Sequence, residues 1–413
     1  MGVGRNGAIA ALDVGTTKVS CFVARLGSDS CRVIGIGHQV SRGMRSGAVV
    51  DMEGVEHSVR AAVDAAERMA GETVREVTVS FSGGSPHSQR LVEEAAIVGR
   101  EVGEGDVRRV LGQGRSGVDD VGREIVHAIP MGYTVDEARG VRDPCGMFGA
   151  RLGADLHVVT VAAGPARNLT VCVERGYLGV AAVVVSAYAA AMGVLVQDEK
   201  DLGVTVLDMG GGTTGIAVFS EGNLAFTDSV PVGGAHITND IARGLSTPTD
   251  KAERLKTLYG SAVASPADEN EMIRVSRVGE SGGESASPHP RSVLVGIIRP
   301  RVEETLELVR ERLEASGYHR AAGRRLVLTG GASLLHGVPD MAARILDKQV
   351  RVGRPIKVSG LAESTGGPAF AACAGLLSHA LHGTPEALTA GAWDEEAIAG
   401  PLVRVGRWVH AHL

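Results

Sequence analysis

A carboxylate, a glycine, two threonines and a lysine stand together near the start of the sequence. They are Asp13, Gly15, Thr16, Thr17 and Lys18, and they directly follow an apolar segment. Glycines let backbone N–H groups approach a ligand, and successive N–H groups in a turn form a nest for anions, to which threonine hydroxyls add donors. An aspartate at this place could hold a metal ion through water, and Lys18 could meet a β- or γ-phosphate. The residue types therefore predict a phosphate-binding turn.

A second stretch repeats this plan roughly 195 residues later. Its members, in chain order, are Asp208, Gly210, Gly211, Gly212, Thr213 and Thr214. The flanking segments 204–207 and 216–219 are apolar and largely β-branched, which predicts a β-hairpin. One such motif alone is equally compatible with a plain hairpin turn, because short glycine motifs occur by chance. Two copies predict two related halves that face one nucleotide.

A third element is a predicted strand at 325–329 that ends in Gly330, Gly331 and Ala332. Paired glycines would let a flat base or ribose lie against bare backbone. A predicted helix around Glu253 and Lys256 follows the Gly233–Gly234 pair and could add polar contacts. Its charges are also compatible with a solvated helix face.

The three elements together resemble the actin-like ATPase superfamily. The resemblance makes the two hairpins the phosphate-1 and phosphate-2 loops and residues 330–332 the adenosine motif. It implies ATP and Mg²⁺ as cofactors, with Asp13 and Asp208 holding the metal through water. It also implies that Gly234, Glu253 and Lys256 contact the ribose and adenine.

Composition limits the class of protein. A chain of 413 residues with 44% hydrophobic residues is long enough for two to four domains with substantial cores. The net charge of −6 argues against nucleic-acid binding. Five widely spaced cysteines indicate neither a disulfide framework nor a zinc site, and Cys21 and Cys172 are expected in the core.

Targeting signals are not expected. The first residues lead directly into a strand, Asn6 does not fit a myristoylation motif, and no run of 18 apolar residues occurs. The most apolar segment, 180–196, is predicted to be a strand that enters a buried helix. We therefore expect an intracellular protein.

Periodicity predicts most of the first half. A helix is expected from Asp51, as N-cap, to about Gly71, followed by a strand at 74–81. Residues 84–163 alternate predicted strands with a short helix, unlike the segment before them, and this pattern predicts a small inserted α+β module. Its expected strands and helix lie at 95–98, 124–129, 156–161 and 106–111.

The second half is predicted to contain a strand from Asn223, a helix near 237–242 and a hydrophilic loop or hairpin tip at 276–292. An amphipathic helix is expected at 297–317, with Pro300 in its first turn, where proline is tolerated. Another helix should follow the adenosine motif, and a small-residue helix should begin near Pro368. From about His382 the composition is typical of a linker.

The last residues form a separate amphipathic pattern. At 100° per residue an apolar side is opposed by a basic side, and the predicted membrane-contacting residues are Leu402, Arg404, Val405, Arg407, Trp408, Val409 and Leu413. A helix of about 12 residues is marginal in water and needs a surface to fold on. Anionic lipid offers roughly 1 kcal/mol per basic residue, which suits a polymer with many copies. A helix docked on the protein itself, or a disordered tail, fits the same pattern.

Core, insertion, linker and terminal helix together resemble the FtsA family of bacterial division proteins. The resemblance implies an α/β, actin-like ATPase fold: two RNase H-like halves around a nucleotide cleft, with an inserted α+β subdomain and a C-terminal amphipathic helix. It divides the chain into 1–83 with 164–200 (1A), 84–163 (1C), 201–227 with 301–381 (2A), 228–300 (2B), a linker at 382–400 and a membrane helix at 401–413.

The same resemblance implies the partners and the location. Subdomain 1C would mediate filament formation and contacts with later division proteins. The C-terminal peptide of FtsZ would dock on 2B and the following helix, with Arg301 and Glu304 as contacts. The protein would lie peripherally on the cytoplasmic face of the inner membrane at the division site.

One departure from the family pattern concerns hydrolysis. The family usually has aspartate after Gly-Gly-Gly-Thr-Thr, whereas this chain has Gly215. ATP binding is expected to remain, but catalysis becomes questionable. An enzyme on the same fold, a small-molecule kinase or a chaperone-type ATPase, is the alternative, and the related pilus-assembly ATPase is a third. A terminal membrane anchor would favour the adaptor over all of these.

Overall fold

The computed structural model describes residues 8–27, 31–97, 99, 101–116, 121–279 and 287–382. These residues form two mixed sheets that each carry helices, and a third sheet in an insertion. The predicted linker and terminal helix lie outside the described residues, apart from His382.

The first core half is built on a six-stranded sheet of order β11-β6-β1-β2-β3-β19. Its strands are β1 (Ala8–Val14), β2 (Lys18–Leu26), β3 (Cys31–Val40), β6 (Glu76–Phe81), β11 (Gly179–Val185) and β19 (Val358–Ser359). A short hairpin of β4 (Met44–Arg45) and β5 (Ala48–Val49) follows β3. The helices of this half are α1 (Met52–Ala70), α3 (Ala163–Glu174), α4 (Ser186–Val194), α5 (Gln197–Leu202) and α10 (Ala371–His382).

Helix α1 begins and ends as its sequence predicts. The Asp51 side chain accepts a hydrogen bond from the Gly54 N–H, which satisfies one of the free donors of the first turn. Gly71 ends the helix at φ 69°, a left-handed conformation that glycine adopts without steric cost. The buried face includes Val55, Val59 and Ala62, at helical spacing.

The second core half repeats the arrangement. Its five-stranded sheet has the order β14-β13-β12-β17-β18. The strands are β12 (Val204–Met209), β13 (Thr214–Ser220), β14 (Asn223–Val230), β17 (Arg325–Thr329) and β18 (Gln349–Val352). Around them lie α6 (Gly234–Gly244), α7 (Thr249–Tyr259), α8 (Arg291–Ala315), α9 (Val338–Leu346) and the hairpin of β15 (Met272–Val275) and β16 (Ser287–Pro290).

The two halves share one topology. In the first, β3, β2 and β1 are antiparallel and β6 lies parallel to β1. In the second, β14, β13 and β12 are antiparallel and β17 lies parallel to β12. Each half therefore brings the turn of its first hairpin to the same end of its sheet, as the repeated motif predicted.

The insertion is a four-stranded antiparallel sheet of order β7-β10-β8-β9 with one helix, α2 (Glu104–Ser116). Its strands are β7 (His87–Ala96), β8 (Arg123–Val135), β9 (Ala138–Val141) and β10 (Arg151–Ala162). It has its own apolar core, which includes Leu152, Leu156 and Val110. Strand β7 begins earlier than predicted. Its residues 87–94 are mostly polar and none of them is fully buried, so the hydrophobic pattern did not indicate them.

The prediction for Pro300 is wrong. Helix α8 begins at Arg291, so Pro300 lies in its interior and not in its first turn. The carbonyl left without a helical donor belongs to Gly296, and both residues are exposed, so water can reach it. The buried stripe of Leu294, Ile298 and Val302 continues past the proline and carries the helix through it.

Two further details differ from expectation. Residues 331–334 after the adenosine glycines form a short 3-10 helix, and α9 begins only at Val338. Helix α8 also continues without a break through residue 300, and its apolar residues on both sides of that position lie in one core. No helix among the described residues is long and apolar enough to cross a membrane.

Candidate nucleotide-binding cleft

The two glycine-threonine turns have the same backbone geometry. The Gly15 N–H donates to the Lys18 carbonyl at 2.9 Å, and the Gly210 N–H donates to the Thr213 carbonyl at 2.9 Å. Each turn therefore closes its hairpin with the same hydrogen bond from the residue two positions after the aspartate. The repeat seen in the sequence is a repeat in structure.

The two turns also face each other in direct contact. A Cβ atom placed on Gly211 would lie 2.7 Å from the Thr17 Oγ1, and one on Gly212 would overlap Thr16 Oγ1. A side chain at either position would push the turns apart, which explains both glycines. A ligand between the turns would meet backbone N–H groups from one side and threonine hydroxyls from the other.

Asp13 and Asp208 end the first strands of their halves and lie close enough to affect each other. Burial raises the pKa of Asp208 to about 7, with a further contribution from the negative charge of Asp13. Burial also raises the pKa of Asp13, opposed by Lys18. A cation between the two carboxylates would offset their repulsion and favour their ionised forms.

Each aspartate is positioned by a serine that sequence reasoning missed. The Ser80 hydroxyl donates to Asp13 Oδ1 at 2.5 Å, and the Ser186 hydroxyl donates to Asp208 Oδ2 at 2.9 Å. Ser80 lies opposite Asp13 in the register of β6 and β1, and Ser186 begins α4. Neither stands in a motif; Ser80 is identified only by the pairing of β6 with β1, and Ser186 only by the position at which α4 begins.

The Lys18 side chain contacts Ala369 and Phe370, about 350 residues later in the sequence. Its Nζ donates to the Ala369 carbonyl at 2.6 Å and lies 3.3 Å from the centre of the Phe370 ring. Burial lowers the pKa of Lys18, while Asp13 and Asp208 raise it. The positive charge thus stands beside both carboxylates, and the 368–370 segment is a wall of the cleft that the sequence did not indicate.

The predicted adenosine contacts lie together. Lys256 Nζ donates to the Gly234 carbonyl at 3.0 Å and to Glu253 Oε2 at 2.7 Å. The Thr238 hydroxyl joins both side chains, at 2.8 Å from Lys256 Nζ and 2.5 Å from Glu253. A Cβ on Gly234 would lie 3.2 Å from that of Ala332, so α6, α7 and the adenosine motif meet here.

The adenosine glycines adjoin the carboxylates as well. Gly330 has φ 81°, and a Cβ there would lie 2.6 Å from Asp208 Oδ1. Strand β17 pairs with β12 so that Thr329 lies opposite Asp208. Gly331 follows at the start of the 3-10 helix. The phosphate-side and nucleoside-side elements thus form one continuous surface.

Contacts with neighbouring segments constrain Thr214 and Gly215. The Thr214 hydroxyl donates to the Val232 carbonyl at 2.8 Å, which fixes the path of the chain after β14. At Gly215, a Cβ would lie 2.8 Å from the Cβ of Ala187 in α4. The space for an aspartate at that position is therefore restricted by Ala187.

Arg301 and Glu304 lie on α8 beside α6. Arg301 Nε donates to Asp240 Oδ2 at 2.6 Å, its second nitrogen reaches Oδ1 at 3.2 Å, and a third donates to Glu304 at 2.5 Å. Hydrogen bonding to Asp240 raises the pKa of Arg301. Glu304 is half exposed. The predicted residues of the terminal helix, 402–413, lie outside the described residues.

The donor set fits Mg²⁺ with a nucleotide. Among the described residues no group of three or more histidine, cysteine or acidic side chains could hold a metal. Asp13 and Asp208 would therefore act through water, as Mg²⁺ permits because it retains several waters and binds phosphate oxygens. The glycine turns, where an added Cβ would clash, would supply the phosphate cradle.

Comparisons with known proteins identify the family of the chain. The family model described as cell division protein FtsA matches residues 205–375, and that of the SHS2 domain inserted in FtsA matches residues 83–160. The cell division protein FtsA of Rhizobium meliloti (strain 1021) is 43% identical over 98% of this chain and 95% of its own length. That of Pseudomonas aeruginosa is 36% identical over 98% of both chains.

Solved structures with low identity share the fold. The PilM–PilN type IV pilus biogenesis complex matches with a TM-score of 0.65 at 14% identity, covering 92% of this chain and 99% of that one. MreB5 of Spiroplasma citri bound to ADP matches with a TM-score of 0.53 at 14% identity, covering 91% and 98%. With an actin-like ATPase fold, an inserted SHS2 domain and relatives of this similarity over nearly its whole length, the chain belongs to the FtsA family of cell division proteins.

Proposed function

We propose that this chain is an ATP-binding, actin-like division protein that polymerises and tethers FtsZ filaments to the cytoplasmic membrane. The observation that carries the proposal is the contact between two identically closed turns, at Thr16–Thr17 and Gly211–Gly212, beside a pair of aspartates. Such an arrangement suits a polyphosphate with its metal better than any other ligand class.

The nucleotide would be held by residues from both halves. Gly15, Thr16, Thr17 and Lys18 would contact the phosphates from the first half, and residues 210–214 from the second. Asp13 and Asp208 would orient Mg²⁺ through water, and the metal would screen the phosphate charge. Gly234, Glu253, Lys256 and residues 330–332 would contact the nucleoside.

ATP turnover is at most slow in this proposal. Gly215 stands where the family has a carboxylate, and Ala187 restricts the space beside it. Asp13 and Asp208 are the remaining acidic side chains near the phosphate turns. Bound ATP would then act mainly to join the two halves, and the protein would be a structural adaptor and not primarily an enzyme.

The C-terminal peptide of FtsZ would dock at 2B and α8. Arg301 is already fixed by Asp240, so its guanidinium is preorganised, while Glu304 is held by Arg301 and remains half exposed. The inserted subdomain would serve filament formation and contacts with later division proteins. The amphipathic residues 401–413 would bind anionic lipid at the inner membrane, peripherally and at the division site.

Nucleotide binding is tested by calorimetric titration of Mg–ATP and Mg–ADP into the full chain and into Asp208→Asn. We expect the wild type to bind and the variant to lose most of its Mg²⁺-dependent affinity. Equal Mg²⁺-dependent binding by both proteins would contradict the assignment of Asp208.

Membrane tethering is tested by co-sedimentation with anionic vesicles and ATP, comparing the full chain with a version that ends at Gly400. The full chain should pellet with the vesicles and bring added FtsZ down with it. The shortened chain should stay in solution and leave FtsZ there as well. If both stay in solution, the terminal residues are no anchor, and an actin-fold kinase or chaperone-type ATPase becomes the better proposal.

A further inference from the structure

The β4–β5 hairpin touches both phosphate turns through its tip, Ser46 and Gly47. The Gly47 N–H donates to Thr16 Oγ1 at 3.1 Å. On the other side, a Cβ built on Gly212 would lie 2.8 Å from the Cα of Ser46. The tip is therefore in contact with the first turn and the second turn at the place where those two turns meet.

The same tip contacts the root of the inserted subdomain. A Cβ on Gly47 would lie 2.9 Å from the Ser82 carbonyl oxygen, and the Gly47 carbonyl packs against Gly83. Residues 82–86 carry the chain from the end of β6 into β7. The returning strand closes there too, because the Ala162 N–H donates to the Gly84 carbonyl at 2.8 Å.

Hydrogen bonds at its base hold the hairpin in place. The Ser41 N–H donates to the Thr17 carbonyl at 3.1 Å, and the Val50 N–H donates to the Gly43 carbonyl at 2.8 Å. Ser46 and Gly47 have φ 45° and 76°, so two successive residues take the left-handed conformation. Strand β5 packs against α3, the helix that directly follows the last strand of the insertion. A displacement of the tip would thus reach the insertion by two routes, one through Ser82 and Gly83 and the other through β5 and α3.

We propose that the Ser46–Gly47 tip is a third phosphate-contacting element, which meets the terminal phosphate of a nucleoside triphosphate and transmits its presence to the inserted subdomain. The inference rests on the proposed function, since it requires a nucleotide between the two turns. A nucleoside diphosphate lacks the group that reaches this far and leaves the tip without a phosphate contact. The tip therefore determines the preference for the triphosphate over the diphosphate.

The phosphate contact is tested with two variants of one residue, Ser46→Asp and Ser46→Asn. Both side chains tolerate the left-handed conformation and have nearly the same size, so they differ by one negative charge. That charge would repel a terminal phosphate beside it. We expect the aspartate variant to bind Mg–ATP about tenfold more weakly than the asparagine variant, and Mg–ADP with affinities within about threefold of each other.

The relay is tested by hydrogen exchange of residues 83–96 with and without Mg–ATP. The variant is Gly47→Ala, whose Cβ would press on Ser82. Its matched control is Gly317→Ala, because Gly317 has the same φ of 76° but no heavy atom within 4 Å of the added Cβ. ATP should slow exchange in the wild type and in Gly317→Ala, and have no such effect in Gly47→Ala.

An equal ATP-to-ADP preference in both Ser46 variants would overturn the phosphate contact while leaving nucleotide binding, and so the proposed function, intact. ATP-dependent protection that persists in Gly47→Ala would overturn the relay. If the wild type binds neither nucleotide, the proposed function itself fails and this inference with it.

Discussion

The side chain of Ser88 pairs with the backbone of Thr227 as a neighbouring strand would. Its hydroxyl oxygen accepts the Thr227 N–H at 2.8 Å and the hydroxyl donates to the Thr227 carbonyl at 2.9 Å. Ser88 belongs to the inserted sheet and Thr227 to β14, the edge strand of the second core half. One serine thus fastens the insertion to β14, which follows the hairpin of the second glycine-threonine turn.

Replacing Ser88 with alanine should destabilise this junction. Thr227 is fully buried, so its N–H and carbonyl would lose this partner, at a cost of about 1–3 kcal/mol. Urea unfolding measures this loss, and hydrogen exchange should rise at the amides of β14. The matched control is Ser364→Ala at an exposed position, which should change stability by less than about 0.5 kcal/mol. Equal stability of the two variants would show that the pairing contributes nothing.

Gly215 and Ala187 should show energetic coupling. Gly215→Ala brings two Cβ atoms to about 2.8 Å and should cost about 1–3 kcal/mol through overpacking. Ala187→Gly removes the clash but costs about 1 kcal/mol of helix propensity. In a double-mutant cycle the pair should therefore lose less than the sum of the single losses.

The control for this cycle is Gly132→Ala in β8, where the nearest heavy atom to an added Cβ is 3.9 Å away. It should be nearly neutral and additive with Ala187→Gly. Additivity between the Gly215 and Ala187 substitutions as well would mean that the structure relaxes around the contact. The family aspartate at 215 would then be accommodated, and Gly215→Asp alone could be used to test for ATP turnover.

His157 should make the protein sensitive to acid. Burial lowers its pKa to about 4, helped by the neighbouring His127. Because the unfolded chain takes up a proton near pH 6.5 and the folded chain does not, stability should fall as the pH drops from about 6.5 to 4. The full loss is about 3 kcal/mol. Thermal unfolding across this range should show a shallower slope in His157→Gln than in the exposed control His57→Gln; equal slopes would contradict the assignment.

Local patterns of the sequence predicted the hairpins and the capped helix. Asp51 and Gly71 mark the ends of α1 because a cap depends only on residues within a few positions. The turns at Gly15 and Gly210 follow from glycine conformation and strand periodicity in the same way. Repetition of one motif then predicted two halves, because related turns at the ends of related strands require related sheets.

Contacts between segments that are far apart in the chain could not be predicted from the sequence. Lys18 and Ala369 are separated by 351 positions, and nothing in the small-residue segment around Ala369 indicates a carbonyl that faces a lysine. Ser80 is similar, since only the register of β6 against β1 brings it to Asp13. Pro300 misled the prediction of where α8 begins, because placing proline in a first turn ignores burial of the opposite face, which holds the helix together on both sides of it. Packing of that face against the second core outweighs one lost hydrogen bond.

Lys200 is a buried cation between the two core halves. Its Nζ lies 3.0 Å from Met192 Sδ and 5.2 Å from the centre of the Phe219 ring. Burial lowers its pKa to about 8, with Lys357 lowering it further and Asp201 opposing. The folded state thus binds this proton less tightly than the unfolded chain, whose pKa is near 10.5.

Below pH 8 the lysine is charged in both states and the folded state carries the whole desolvation cost; between pH 8 and 10.5 only the unfolded chain stays protonated, so stability rises with pH. Lys200→Met should therefore stabilise the protein by about 1–3 kcal/mol at pH 7, with a gain that shrinks toward pH 10. The control Lys251→Met, at a half-exposed lysine, should show no such trend. Urea unfolding at pH 7, 8.5 and 10 measures it, and a pH-independent gain would mean that packing, and not the buried charge, limits stability at this junction.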